Sequence, residues 1–102
     1  MTHDAIVAMN VTDEAGYARY RDVMAPVLRT HGGRFAHDFR VAETLRTDAP
    51  HPVTRVFVLR MPDAAALDAF FADPAYRRAK ADHYDAAVDG HTVLAALDRE
   101  DP

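Results

Sequence analysis

The side chains best suited to chemistry cluster in two places. His31, Arg34 and His37 surround one glycine turn, Thr30-His31-Gly32-Gly33-Arg34-Phe35, and Asn10, Tyr17, Tyr76 and His83 recur within predicted elements. Imidazole moves protons near neutrality, so each histidine is a candidate general base. Arg34 offers a fork of donors to a carboxylate, or makes a salt bridge at a surface or interface. His37 lies between Phe35 and Phe39 on one predicted strand face, which buries it. A buried neutral histidine ordinarily needs one hydrogen-bond partner and has no further duty, so both roles stand. His31 falls in the last turn of a helix, where a cation also simply complements the helix dipole.

Asn10 interrupts an apolar strand and requires a partner or a ligand. His83 shares a helix face with Tyr76 and Ala79, which points it inward. Asn10, Tyr17, Tyr76 and His83 are therefore expected to converge between sheet and helices, in a mostly apolar cavity with a few polar groups. The alternative is that the tyrosines are core aromatics with their hydroxyls at the edge. The candidate catalytic set is His37, His83 and Arg34, acting by general acid–base chemistry and anion stabilisation. The candidate substrate-binding set is Asn10, Tyr17 and Tyr76.

Other chemistries find little support. Asp82-His83-Tyr84-Asp85 reads like a catalytic string, but consecutive helical side chains diverge. The six histidines lack the spacing of a zinc site, so no metal is expected. Gly32-Gly33 follows a helix, whereas phosphate-cradling glycine loops precede one. The chain contains no serine and no cysteine, which removes serine and thiolate nucleophiles and disulfides.

The elements that must position these residues fit one domain in 102 residues. A net charge of −4 argues against nucleic acid or an anionic membrane as partner. No basic, apolar leader and no run of about 20 apolar residues is present, so a cytoplasmic protein is expected. Ala5 to Val11 reads as a first strand. Thr12 or Asp13 caps a helix whose expected buried face is Tyr17, Tyr20, Val23, Met24, Val27 and Leu28, with Pro26 expected to kink it. Arg34 to Leu45 alternates as a second strand, Thr47 to Pro52 is a loop, and Arg55 to Met61 is a third strand. Asp63 caps a second helix. Asp73-Pro74 restarts a third that runs to about Ala87. Gly90 ends it, and Thr92 to Leu97 is a fourth strand. Residues 1–98 form the domain, with 99–102 a flexible tail.

This order, β-α-β-β-α-α-β, is the ferredoxin-like α+β pattern, an antiparallel sheet with helices on one face. Strands one, three and four are apolar on both faces. A sheet with one wet face should alternate. A second copy covering that face, sheet to sheet, is the simplest explanation, so a homodimer is expected.

Asp13…Tyr17-x-x-Tyr20, Pro26, His31-Gly32-Gly33-Arg34, Pro62 and Asp73-Pro74-x-Tyr76 together resemble the bacterial family DUF1330, of the dimeric α+β barrel superfamily, over about Ala5 to Leu97. The resemblance implies a homodimer with facing sheets. It implies no assigned reaction for the family itself, but the wider superfamily includes cofactor-independent monooxygenases and isomerases. Two departures stand out. Family members often follow His-Gly-Gly-Arg with an aliphatic pair and Arg-Gly-Gly, where this chain has Phe35-Ala36-His37-Asp38-Phe39-Arg40. They often carry an acid near the end of strand three, where this chain has Arg60.

The resulting expectation is a homodimer that binds a small organic molecule on the helix side of each sheet. Any catalysis would proceed without a bound cofactor, by proton transfer or oxygenation of an activated substrate. One rival is a non-enzymatic binding or structural dimer. A second is haem binding or degradation, since some superfamily relatives use a first-strand asparagine, a tryptophan and a helical histidine. This chain supplies Asn10 and His83 but no tryptophan.

Overall fold

The computed structural model describes residues 1–100, and the last two residues of the expected tail, 101–102, lie outside the described part. Four strands form one antiparallel sheet in the order β2-β3-β1-β4. They are β1 (Thr2–Val11), β2 (Arg34–Arg40), β3 (Arg55–Met61) and β4 (Val88–Arg99). The helices α1 (Glu14–Thr30), α2 (Ala64–Ala72) and α3 (Pro74–Ala79) cover one face. This is the expected ferredoxin-like α+β topology.

Local signals explain the boundaries. The Asp13 side chain accepts from the Gly16 N–H at 3.0 Å, satisfying a first-turn donor of α1. Asp63 and Asp73 do the same for α2 and α3, with Pro74 at the first position of α3. At the other end of α1, Gly32 takes φ +79° and its N–H donates to the Arg29 carbonyl. That left-handed residue turns the chain out of α1 and into β2. Pro26 lies within α1, its ring exposed to solvent, and the helix continues through it.

The core lies between the sheet and the helices, where Met9, Tyr17, Leu28, Met61 and Phe70 are almost wholly buried. Ala5, Val7, Met9 and Val11 of β1 face this layer. Asp4, Ile6, Ala8 and Asn10 therefore face the opposite, helix-free side.

Three boundaries differ from the sequence reading. β2 ends at Arg40 rather than Leu45. Beyond it the Val41 N–H still donates to Thr54 and the Thr54 N–H to Met9, but no ladder continues through the proline-bearing loop. β1 begins at Thr2, and β4 runs from Val88 to Arg99, through Gly90. Gly90 takes φ +99° within a bulge opposite Asn10 and does not delay the strand. Among the described residues, no helix is long and apolar enough to cross a membrane.

Candidate functional site

A cavity of about 530 Å³ lies between the sheet and the helices. All four strands and all three helices contribute to it. Tyr17, Tyr20 and Met24 come from α1, Phe70 and Phe71 from α2, and Tyr76 and Arg77 from α3. The floor is built from Ala5 and Val7 of β1, Phe35 of β2, Phe57 and Leu59 of β3, and Val93 of β4. Exposed residues on both sides, among them His91, Val93 and Ala96 on the edge strand and Phe71 and Arg77 on the helices, mark its mouth.

The wall is aromatic and interlocked. Tyr20 packs against Tyr84 at 5.0 Å between ring centroids, and Phe70 against Tyr76 at 4.4 Å. Phe35 meets Phe57 edge-on at 5.2 Å. Burial pushes the Tyr20 phenol far above its ordinary pKa, reinforced by the neighbouring Tyr76 phenol. Burial also pushes the Tyr84 phenol well up, and raises that of Tyr17 despite the opposing pull of Arg21. These hydroxyls therefore stay protonated and can donate. The Tyr84 hydroxyl lies 3.6 Å from the Met9 sulfur, and the Tyr17 hydroxyl accepts from Arg21 at 3.0 Å.

One end of the wall is closed by charge. Asp38 accepts from Arg55 through two bonds of 3.0 Å and pairs with Arg21 at 3.1 Å. The Arg21 guanidinium lies over the Phe35 ring at 3.5 Å, and that of Arg55 over the Tyr17 ring at 4.9 Å. Partial burial opposes ionisation of Asp38, but the two arginines outweigh it and hold its pKa below the ordinary 3.8. A carboxylate with a lowered folded pKa contributes stability above its unfolded value and loses it as pH falls through the folded one. Melting temperature should therefore decline as pH drops below about 4, and Asp38→Asn should flatten that slope. An equal slope in both proteins would remove this pair from the account of acid sensitivity.

The sequence-derived candidates are divided by the fold. Tyr17 and Tyr76 both line the cavity. Asn10 does not, because it lies on the helix-free face. His37 is exposed, contrary to the expected burial between Phe35 and Phe39. The cause is a one-residue bulge: Phe35 pairs with Leu59 but His37 with Val58, which leaves Ala36 unpaired. Phe35 thus faces the helices, while His37 and Phe39 face away and stack at 6.0 Å.

His83 is only half-buried and is absent from the cavity lining. Lys80–Tyr84 forms a π turn, whose wider winding delays the helix face by one residue. Tyr84 therefore reaches the wall in the place that α-helical spacing assigns to His83. Asn10 and His83, the partial haem set, are separated by the sheet. Arg34 is exposed beside a different cleft, at one end of the sheet.

The sequence reading missed Tyr84, Lys80, Arg77 and His91 as cavity residues. His91 pairs with Met9 in register, so it shares the cavity face, and it is the imidazole among the lining residues. Its ring meets Tyr84 edge-on at 6.1 Å. No three His, Cys, Asp or Glu side chains group as metal ligands among the described residues. The groups at hand are the His91 imidazole, the tyrosine hydroxyls and the Arg77 guanidinium at the mouth, while Lys80 is paired with Asp85 at 2.7 Å.

Solved structures similar to this one share its fold. A protein of unknown function from Rhodopseudomonas palustris superposes with a TM-score of 0.81 at 22% identity, covering 99% of this chain and 84% of that one. A protein from Jannaschia sp. CCS1, described as a dimeric ferredoxin-like protein of unknown function, gives 0.60 at 18%, with 97% and 100% coverage. SnoaB, a cofactor-independent oxygenase from Streptomyces nogalater, gives 0.58 at 14%, with 99% and 93% coverage. No curated protein matches the sequence. The family model for the domain of unknown function DUF1330 matches residues 5–97, and the chain belongs to that family.

Proposed function

We propose that this protein is a homodimeric small-molecule-binding protein whose ligand, an apolar and largely aromatic compound, occupies the cavity between sheet and helices. The observation that carries the reading is the cavity itself: about 530 Å³, walled by eight aromatic rings, with cationic and imidazole groups confined to the mouth. That volume suits a molecule of drug-like size, and a few placed polar groups would orient it. Arg77 at the mouth favours a ligand with an acidic group directed outward, whereas the Lys80 charge is already paired with Asp85 at 2.7 Å. His91 is positioned to take a proton from a bound acid. Cofactor-independent proton transfer or oxygenation is thus the reaction class this site would support, and the fold shared with SnoaB is compatible with it.

The homodimer rests on the helix-free face. Ile6, Ala8, Val56, Val58, Phe39, Ala95 and Leu97 lie on it by register, and Phe39 is 57% exposed. So large an apolar surface calls for a partner, and a second copy presents the same surface. The dimeric description of the Jannaschia protein supports this arrangement. Asn10 and His37 would then sit at the subunit interface.

Titration with 1-anilinonaphthalene-8-sulfonate, an aromatic anion, tests the cavity. The wild-type protein should bind one probe per chain with enhanced fluorescence. Ala96→Trp, which fills the mouth from an exposed edge-strand position, should abolish that signal. Undiminished binding by the variant, or none by the wild type, overturns the reading.

A further inference from the structure

All four tyrosines of the chain, Tyr17, Tyr20, Tyr76 and Tyr84, line the cavity between sheet and helices. They gather around Tyr20, whose ring centroid lies 5.0 Å from that of Tyr84, 5.8 Å from Tyr17 and 6.5 Å from Tyr76. Among the described residues, no carboxylate or carboxamide side chain lines the same space. The lining is therefore rich in hydrogen-bond donors and poor in acceptors.

The hydroxyl groups are not equally engaged. Tyr84 directs its O–H at the Met9 sulfur, 3.6 Å away. Tyr20 donates to the Tyr76 oxygen, a bond that helps to keep the Tyr20 phenol protonated. Tyr17 accepts from Arg21 at 3.0 Å and is fixed at the charged end of the wall, with Arg55 over its ring. Tyr76 differs from all three. Its oxygen takes the Tyr20 proton, its own hydrogen reaches no acceptor among the described residues, and it stands next to Arg77 at the mouth. Tyr76 is only 9% exposed, so an unused donor there is costly. A hydroxyl that accepts one bond is also polarised into a stronger donor for the next.

We propose that the ligand of this cavity carries a carbonyl oxygen that accepts from the Tyr76 hydroxyl, which makes Tyr76 the residue that selects aromatic ketones over hydrocarbons of the same shape. This selectivity presupposes the small-molecule ligand proposed for the cavity. In an apolar enclosure a carbonyl gives up its water, so it is disfavoured unless a donor replaces that water. Tyr76 supplies the donor, and Tyr20 supports it from behind. Arg77, the next residue, receives an acidic group at the mouth. The class of compound that satisfies both is an aromatic keto acid.

The test is calorimetric titration of the intact protein with 4-benzoylbenzoate and with 4-benzylbenzoate, two acids that differ only in a carbonyl or a methylene bridge between the rings. The wild-type protein should bind the ketone at least as tightly as the methylene compound. Tyr76→Phe removes only the hydroxyl, and it should shift the ratio of the two affinities at least about fivefold toward the methylene compound. Infrared difference spectra should place the carbonyl stretch of the bound ketone lower in the wild type than in Tyr76→Phe. Suppose both probes bind, but the ratio or the stretch is the same in the two proteins, or the wild type prefers the methylene compound. The carbonyl proposal is then overturned, the Tyr76 hydrogen serves water, and the ligand reading of the cavity stands. Binding of neither probe by the wild-type protein overturns both.

Discussion

Phe70→Ala is expected to cost about 3–5 kcal/mol of folding stability, the range for removing a buried phenylalanine. For a domain of this size that corresponds to a fall in melting temperature of roughly 15–30 °C. Phe70 is 1% exposed and joins three neighbours, contacting the rings of His31, Phe71 and Tyr76. His31 in turn binds Asp73 at 2.8 Å, the residue that caps α3. Truncation would therefore open a void where α1, α2 and α3 meet. Phe71→Ala is the matched control, because that ring is 45% exposed and should cost far less. Thermal denaturation of both variants decides the matter: similar losses would mean that Phe70 is not the hub described.

Val58→Asp should convert the proposed dimer to a folded monomer. Val58 lies on an inner strand, paired with Ile6 on one side and His37 on the other. In a sheet-to-sheet dimer, two carboxylates would be desolvated near the symmetry axis without partners. Central interface residues of this kind carry about 2–4 kcal/mol, so dissociation should strengthen at least about 30-fold. Light scattering should give about twice the 11.3 kDa chain mass for the wild type and the single mass for the variant. Circular dichroism confirms that the variant remains folded. A wild-type monomer at micromolar concentration, or a variant that still runs as a dimer, would exclude the sheet-to-sheet arrangement.

The fold was readable because each helix start carries its own chemistry. Asp13, Asp63 and Asp73-Pro74 mark the three, and the glycine pair marks the exit from α1. The site was less readable, for reasons that come down to single residues. Sequence arithmetic assumes a period of two along strands and 3.6 along helices. The unpaired Ala36 breaks the first, which moves His37 to the far face. The π turn at Lys80–Tyr84 breaks the second, exchanging His83 for Tyr84 at the wall. Neither interruption has a glycine or proline to announce it. Asn10 was misplaced for another reason: β1 is apolar on both faces, so alternation alone does not say which face meets the helices. Tyr17 and Tyr76 lie on uninterrupted helical turns, and both reached the cavity.

The bulges have a consequence for the solubility of the chain. A sheet of four strands has two edges, here β2 and β4, and every register shift in this sheet places its extra residue on one of them. Ala36 interrupts β2, and β4 is interrupted near Leu94 and again near Gly90. A straight, unbroken edge would template pairing with other chains and invite fibrils. These edges are kinked instead, and β2 also carries Arg34, Asp38 and Arg40. The molecule can therefore present a broad apolar sheet face while denying neighbours an edge on which to extend the sheet.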